Sequence, residues 1–364
     1  MCVRRVEGER VHGELVVPTQ LADPLSCFEV DVSTGEVLVG TAMGAVLLGR
    51  FRSAEEHVGL LESDSEKESK ESLQLIQGIT NLCASSEEII KAMGMDSKRI
   101  VAVVGDLHIK VWERSSFSTP RIIKLKRPHH YSFCTQVQIL THEKHAILGV
   151  GSFVEPTLLY IDLQTLNQYL PIPPKDCPVP MEGIPTFFDG NFLSWVSKHK
   201  EIKLCLWKVP LTMEDGARFE LADTWEFPSS KVTYWGFQFS QPNRKFLVMC
   251  SKRYKLSVWN ADSKTKVLSR KVFKRSDVAC FLVESKLNSL VVFVVSRFGE
   301  FSMQRWDLDS KMFRVLYSAP SVSGSWYLGF TYKIRRFGPS IFYSSDMGLH
   351  VLQLDSNLIQ SCWD

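Results

Sequence analysis

The segment Lys255-Leu256-Ser257-Val258-Trp259-Asn260-Ala261-Asp262 decides the fold, because similar endings recur along the whole chain. In most of them a short apolar run closes on a Trp or aliphatic anchor that a polar residue follows. The other endings are Val46-Leu47-Leu48, Lys110-Val111-Trp112-Glu113, Tyr160-Ile161-Asp162-Leu163, Leu206-Trp207-Lys208, Arg305-Trp306-Asp307-Leu308-Asp309 and Gln353-Leu354-Asp355-Ser356. The anchors from Trp112 to Leu354 are separated by 49, 46, 52, 47 and 48 residues.

A period of this length, with four strands in each repeat, indicates a β-propeller. We therefore predict an all-β, seven-bladed propeller of four-stranded antiparallel blades, as a single domain over residues 1–364. In the best-marked repeat, strands are predicted over Val232–Ser240, Phe246–Cys250, Lys255–Asn260 and Val267–Phe273. A spare N-terminal strand, Val11–Val17, is expected to pair with the last blade and close the ring, which would remove an exposed sheet edge.

Two insertions interrupt the period. Residues 52–72 are acidic, Ser-rich and free of aromatic residues, so this segment is predicted to be disordered. Within it, Ser63 and Ser65 each have a Glu three residues downstream, which makes them candidate phosphorylation sites. Residues 85–96 begin with Ser-Ser-Glu-Glu and carry Gly94 near their end, a pattern that predicts a short capped helix. The second blade is expected to begin before it, with a strand at Ile79–Ala84.

The composition is that of an ordinary globular protein. The chain is 45% hydrophobic and its net charge is only +3, so no global attraction to nucleic acid or membrane is predicted. The nine cysteines form no CxxC pair, which favours buried reduced thiols over disulfides or a zinc site. The N-terminus lacks the apolar core of a signal peptide and no apolar run reaches membrane-spanning length, so a cytoplasmic or nuclear location is expected.

The repeat endings resemble those of WD-repeat propellers, in a divergent form. The Trp-Asp dipeptide stands at Trp306-Asp307, Trp259-Asn260 is a near match, and the resemblance covers almost the whole chain. The resemblance implies a propeller that binds other proteins through its loops. The Gly-His pair that usually opens such repeats is absent, so no subfamily is identified.

No catalytic or ligand-binding motif is recognised. In Thr141-His142-Glu143-Lys144-His145 the histidines are three residues apart, whereas the helical metalloprotease motif needs four. Arg335-Arg336-Phe337-Gly338 resembles the motif of phosphoinositide-binding propellers of autophagy, but a Phe intervenes and the pair is expected in a turn of the last blade. We therefore predict that the protein is not an enzyme and has no cofactor or metal.

Basic residues are predicted to gather on one face. In a propeller, the loops from second to third strand and from outer strand to the next inner strand share a face. The residues there, here called the basic rim, would dock an acidic or phosphorylated peptide or a nucleic-acid backbone; the alternative is ordinary solvated charge. The rim comprises Arg127, His129, His130, Lys198, Lys200, Lys252, Arg253, Lys274, Arg275 and Arg297.

The leading hypothesis is a non-catalytic protein-interaction scaffold that forms one subunit of a larger intracellular complex. One alternative is a substrate receptor of a cullin-type ubiquitin ligase, although Asp309 stands where the Trp-Asp-x-Arg motif of such receptors has its Arg. A second is a nucleic-acid or phosphopeptide binder acting through the basic rim, and the small net charge does not favour nucleic acid. A third is a propeller enzyme, for which the sequence offers no set of inner-strand carboxylates or histidines.

Overall fold

The structure is a computed structural model, and its described part of the chain is built from β-strands. The described residues are 2–7, 10–14, 25–31, 33–51, 76–83, 88–105, 108–117, 119–124, 133–139, 145–151, 157–169, 186–188, 191–198, 201–208, 220–228, 234–251, 255–273, 278–296, 299–319, 333–345 and 348–354. They contain 29 strands and no helix, arranged in six four-stranded sheets and one five-stranded sheet. Accordingly, these residues include no helix that could cross a membrane.

Each sheet is an antiparallel meander of strands that are consecutive in the chain, apart from two N-terminal strands in the last sheet. The N-terminal strands are β1 (Cys2–Glu7) and β2 (Arg10–Glu14). Sheet one contains β3 (Leu25–Val30), β4 (Glu36–Thr41), β5 (Val46–Phe51) and β6 (Ile76–Cys83). Sheet two contains β7 (Ile90–Met95), β8 (Arg99–Val104), β9 (His108–Glu113) and β10 (Arg121–Lys124). Sheet three contains β11 (Phe133–Ile139), β12 (His145–Gly151), β13 (Thr157–Asp162) and β14 (Gln168–Tyr169).

The remaining sheets continue in chain order. Sheet four contains β15 (Thr186–Phe188), β16 (Asn191–Lys198), β17 (Glu201–Lys208) and β18 (Glu220–Pro228). Sheet five contains β19 (Tyr234–Phe239), β20 (Phe246–Ser251), β21 (Lys255–Asn260) and β22 (Lys266–Lys271). Sheet six contains β23 (Val278–Lys286), β24 (Ser289–Ser296), β25 (Phe301–Asp307) and β26 (Phe313–Ala319). Sheet seven contains β27 (Ile334–Phe337), β28 (Ser340–Ser345) and β29 (Gly348–Leu354), followed by β1 and β2.

The recurring sequence endings all lie in the third strand of their sheet, which confirms the repeat as the structural unit. Trp112, Trp259 and Trp306 stand in β9, β21 and β25, and all three are buried. The predicted strands of the best-marked repeat correspond to β19 to β22, with boundaries that differ by a few residues at most. The prediction of an all-β chain of antiparallel four-stranded units is therefore confirmed.

The apolar core lies between sheets rather than in one central layer. Successive sheets one and two, two and three, four and five, five and six, and six and seven share buried clusters. Sheet seven shares another with sheet one, and β11 of sheet three contacts β15 of sheet four. Because both faces of a sheet are covered, its central strands lose polar alternation. In β24, all residues from Leu290 to Ser296 are buried.

The helix predicted over 85–96 is wrong, because β7 (Ile90–Met95) occupies its second half. Ile90, Ala92 and Met93 are buried against β8 and the neighbouring sheets. Burial of these side chains outweighs the local helix-capping pattern, as tertiary packing commonly overrides propensity. The strand predicted at Ile79–Ala84 exists as β6, but it is the last strand of sheet one rather than the first of sheet two.

The N-terminus joins the last sheet, as predicted, but through a different strand. The direct neighbour of β29 is β1, which runs parallel to it with Val3 opposite Val351. The expected strand Val11–Val17 is represented by β2, which pairs with the far edge of β1 instead. Cys2-Val3-Arg4-Arg5-Val6-Glu7 shows no strict alternation, which explains why the pattern did not reveal it. The predicted disordered segment, residues 52–72, lies outside the described residues.

Candidate functional site

Nine of the ten basic-rim residues lie outside the described residues, as do the candidate phosphorylation sites Ser63 and Ser65. The exception is Lys198, the last residue of β16, whose backbone pairs with Glu201. In an antiparallel meander, the second-to-third connections leave from the same end as the connections to the next sheet. The sequence positions 199–200, 252–254, 297–298, 125–132 and 274–277 are all connections of these two kinds. That the side chains of the basic rim lie together on one face stays a prediction.

A charged cluster instead joins the first strands of sheets seven and one. The Glu29 carboxylate of β3 contacts the Lys333 ammonium, and it also accepts a hydrogen bond from Arg335 Nε at 3.1 Å. Lys333 is held from its other side, because its backbone N–H donates to Ser344 Oγ at 2.8 Å. The Glu29 and Lys333 side chains are largely buried, whereas Arg335 is 41% exposed. The pair therefore clamps two sheets that are far apart in sequence.

A second ion pair connects the first strands of sheets six and seven. Arg336 of β27 contacts the Glu284 carboxylate of β23, and its Nε donates to the Gly338 carbonyl at 2.9 Å. The arginines of the Arg335-Arg336-Phe337-Gly338 segment thus point to carboxylates of this chain, and they lie in a strand rather than in the predicted turn. The resemblance to a phosphoinositide-binding motif is therefore no evidence for a ligand site, since both arginines already contact carboxylates. Two first-strand carboxylates that sequence reasoning missed, Glu29 and Glu284, each form an ion pair across a sheet interface.

The two carboxylates have opposite pKa shifts. Burial alone would raise the pKa of Glu29, but the charges of Lys333 and Arg335 outweigh it and hold this pKa below its ordinary value. Burial raises the pKa of Glu284, because its one cationic partner, Arg336, compensates only in part. The pKa of Lys333 is lowered by burial, since it shares a single carboxylate with Arg335. Glu29, which faces two cations, is therefore more strongly ionised than Glu284, which faces one.

Exposed apolar side chains concentrate on sheet six. Among the described residues, seven large apolar side chains are strongly exposed, and four of them belong to this sheet: Leu287 at 82%, Met312 at 65%, Val315 at 46% and Phe313 at 37%. Leu287 also has a positive φ of 55°, which is uncommon for a bulky residue. We call these four residues the sheet-six surface. An exposed apolar group of this kind points to an interaction site.

The sheet-six surface is continuous from two turns into an outer strand. The turn at Leu287 is linked to the turn before β26, because Leu308 N–H donates to the Asn288 carbonyl at 3.0 Å. The Asn288 side-chain amide also donates to the Asp309 carboxylate at 3.1 Å. Phe313 and Val315 then follow in β26, the last strand of its sheet. The outer backbone edge of β26 pairs with no described strand.

Three arginines lie near this surface. The Arg270 guanidinium of β22 lies 2.9 Å above the ring centre of Phe313, a cation–π contact between sheets five and six. Arg314 of β26 stands directly opposite Arg305 of β25. Like charges at directly opposite positions of an antiparallel pair repel each other. Arg270 and the Arg305–Arg314 pair thus lie on opposite faces of sheet six, and the carboxylates of Asp307, near Arg305, and of Asp309 lie beside the same exposed apolar groups.

The described cysteines fit the prediction of buried thiols. Cys27, Cys205 and Cys250 are buried and Cys280 is partly buried. Burial raises the pKa of Cys27 and of Cys280 to about 12, so neither thiol is ionised at neutral pH. Within the ranges that the structure describes, no group of three His, Cys, Asp or Glu side chains could hold a metal ion.

Comparison with known proteins supports the fold alone. No family model matches the chain, and no curated protein matches it significantly. Solved structures do match, in 1428 chains. One is the crystal structure of the computationally designed Ika8 protein, with a TM-score of 0.54 and 12% identity over 93% of this chain and 99% of that chain. A fold shared this widely does not indicate an activity, so function must be argued from the surface.

Proposed function

We propose that the chain is a seven-bladed β-propeller of divergent WD-repeat type, each sheet forming one blade. Three observations support this: seven meanders follow one another in the chain, apolar cores join successive sheets, and sheet seven packs on sheet one. The pairing of β1 with β29 supports a role of the N-terminal strand in closing the proposed ring. Glu29, Lys333 and Arg335 would then lie at the closure, which their ion pairs stabilise.

The function that this geometry supports best is a non-catalytic protein-interaction scaffold within a larger intracellular complex. The sheet-six surface carries the proposal, since it exposes four large apolar side chains on one blade while the blade interfaces bury theirs. Exposed apolar area costs free energy in water, about 25 cal/mol for each Å² that a partner could cover. A partner protein that covers Leu287, Met312 and Phe313 would recover that free energy.

Affinity purification of the tagged full chain, with cross-linking mass spectrometry, tests this role. We expect a partner protein in near-equimolar amounts, with cross-links at Lys286 and Lys311, which flank the sheet-six surface. The double variant L287S/M312S should lower its recovery at least fivefold. The matched control is I122T, which changes an exposed apolar residue on the outer strand of sheet two. A chain that purifies alone, or a partner that L287S/M312S leaves in place, would contradict the proposal.

The basic rim supports a second candidate, docking of an acidic or phosphorylated peptide on one face of the propeller. Its support is the order of the strands, since the connections that carry Lys200, Arg253 and Arg297 each join a second strand to a third. Reversal of rim charges, described in the Discussion, distinguishes this face from the sheet-six surface.

A further inference from the structure

We propose that the outer edge of β26 binds an extended peptide of a partner protein as a fifth antiparallel or parallel strand, and that this peptide alternates apolar with acidic residues. The inference rests on the proposed scaffold role and specifies the chemistry of the partner. Strand addition to a sheet edge gains affinity from main-chain hydrogen bonds and specificity from alternate side chains.

The first argument is the state of this edge. Exposed edge strands are usually protected by charged residues, especially Lys, by Pro or by short length. The outer strand of sheet five has Lys266 and Lys271 at its ends, and that of sheet two has only four residues, Arg121–Lys124. In contrast, β26 is seven residues long and reads Phe-Arg-Val-Leu-Tyr-Ser-Ala, without Lys or Pro. It is therefore less protected than those two edges, and among the outer strands only β6 of sheet one, Ile76–Cys83, is longer and likewise without Lys or Pro.

The second argument is the alternation of side chains. Phe313 and Val315 lie opposite Trp306 and Gln304 of β25, on the face that the Arg270 guanidinium contacts. Arg314 lies opposite Arg305 and therefore on the other face. A peptide strand added to β26 would place its side chains in the same two rows. Apolar residues next to Phe313 and Val315 would extend the apolar row.

The third argument is charge complementarity. Arg305 and Arg314 stand opposite each other; Asp307 of β25 lies near Arg305, whereas β26 itself contains no acidic residue. A carboxylate on the peptide residue opposite Arg314 would lie on the same face as both guanidinium groups. It would relieve their repulsion, and charge-assisted hydrogen bonds to Arg are among the stronger ones. The expected recognition pattern is therefore apolar–acidic–apolar, centred opposite Arg314.

The acidic outer strand of sheet four, in a second copy of this chain, is a weaker occupant of the β26 edge than a partner peptide. Sheet four ends in β18, which carries Glu220, Leu221 and Glu226. Two of its carboxylates already have cations on the adjacent strand, since Lys208 contacts Glu220 and Lys203 contacts Glu226, both at 3.2 Å. A head-to-tail contact between copies through β18 and β26 would have to share those cations, and it would generate open chains rather than a closed assembly.

Fluorescence anisotropy with a labelled nine-residue peptide that alternates Val and Glu tests the inference on the full chain. We expect saturable binding that F313T/V315T weakens at least tenfold and that I122T changes less than twofold. R314E should weaken the Val/Glu peptide at least tenfold and should instead bind a Val/Lys peptide. The same Val/Glu peptide with an N-methyl group on every backbone amide should not bind, since neither of its edges can then pair with β26.

Several results would overturn the inference. They are absence of binding, equal binding of the Val/Lys peptide to the wild type, and equal binding of the N-methylated peptide. Self-association of the wild type that F313T/V315T abolishes, seen by sedimentation velocity, would show that a second copy occupies the edge. Each of these leaves the scaffold role standing if a partner still co-purifies, whereas peptide binding without any co-purifying partner would contradict the scaffold role alone.

Discussion

In the described part of the chain, charges are paired in one region of the molecule and unpaired in another. The first region comprises the first strands of sheets six, seven and one, and the second is the outer strand β26. Glu29 and Glu284 of the first strands are mostly buried, and each contacts a cation of a neighbouring sheet. On β26, Arg314 faces another arginine and the apolar Phe313 is partly exposed. A buried charge that loses its partner is costly, whereas a solvated charge without a partner costs little. The first region therefore joins neighbouring sheets, and the second is exposed.

The contrast is sharpest between two residues that are opposite each other in neighbouring strands. Trp306 of β25 pairs in register with Phe313 of β26, yet Trp306 is 0% exposed and Phe313 is 37% exposed. The Trp306 indole N–H donates to Gln304 Oε1 at 3.0 Å, and the Gln304 amide donates to Ser302 Oγ at 2.9 Å. One strand thus separates the buried, hydrogen-bonded Trp306 from the exposed Phe313.

The largest effect is expected at the sheet seven–sheet one interface. The variant E29A leaves the largely buried Lys333 and the adjacent Arg335 without a carboxylate. We expect a loss in the free energy of unfolding of about 3 kcal/mol, the lower end for breaking a buried ion pair, measured by urea denaturation at pH 7. The control E226A removes an exposed partner of Lys203 and should cost about 1 kcal/mol or less. Equal losses of stability in E29A and E226A would remove the distinction between buried and exposed ion pairs.

A smaller loss is expected inside sheet six. The variant Q304L removes the acceptor of the buried Trp306 indole N–H. An unsatisfied buried donor costs about 1–3 kcal/mol, and we expect a loss in that range. The double variant Q304L/W306F removes both partners, so a double-mutant cycle should show a favourable coupling between them. If the effects of Q304L and W306F were additive, the hydrogen bond would contribute nothing to the stability of β25.

The two first-strand carboxylates should respond oppositely to acid. The pKa of Glu29 is lowered in the folded protein, so its contribution to stability is present above the unfolded pKa and is lost as pH falls through the folded one. The pKa of Glu284 is raised by burial, so its contribution is present below the unfolded pKa and is lost as pH rises through the folded one.

Denaturation curves at pH 7 and pH 4 for E29Q and E284Q measure this difference. We expect E29Q to destabilise most at pH 7 and to reduce the loss of stability that the wild type shows on acidification. We expect E284Q to cost less at pH 7 and to make that acid-induced loss larger than in the wild type. A larger loss in the free energy of unfolding for E284Q than for E29Q at pH 7 would contradict the directions of the two pKa shifts.

On β26 the expected change in stability is small. The variant F313T/V315T places the β-branched residue Thr at two exposed positions, so the free energy of unfolding should change by less than about 0.5–1 kcal/mol per site. Loss of the Arg270 contact with the Phe313 ring sets the upper part of that range. Circular dichroism and urea denaturation measure the effect. A large destabilisation would show that these side chains belong to the core of sheet six.

The smallest effect on stability is expected at the basic rim. Reversal of Arg127, Lys200, Arg253 and Arg275 to Glu should leave the melting temperature nearly unchanged, because solvated surface charges contribute little. Binding of partners should fall, and wild-type binding should weaken as salt is added. A nucleic-acid partner would give a steep linear dependence of log affinity on log salt. If every co-purifying partner remained, the rim would be ordinary solvated surface, and the sheet-six surface would be the better candidate.

Sequence reasoning reached the strand order but not the candidate site. The recurrence of Trp112, Trp259 and Trp306 placed the third strands, since a repeat must bury the same position in every copy. It did not indicate Phe313 and Val315, because an apolar pair in a strand reads the same whether a neighbouring sheet covers it or not. The segment from Ile90 to Met95 was assigned to a helix for a related reason, since its local pattern did not reveal which sheets would cover it.

The sequence by itself determined the repeat, the all-β class and the assignment of most strands, though not β1, β6 and β7, to successive antiparallel sheets, because these depend on spacing and apolar periodicity along the chain. Tertiary structure decided which charges are paired. Glu29 and Lys333 are 304 residues apart, and Glu284 and Arg336 are 52 apart, so no local pattern links either pair. It also decided that β1 extends the last sheet and that β26 keeps an exposed apolar edge. Burial and ion pairing depend on which sheets pack together, and only the folded chain brings those surfaces into contact.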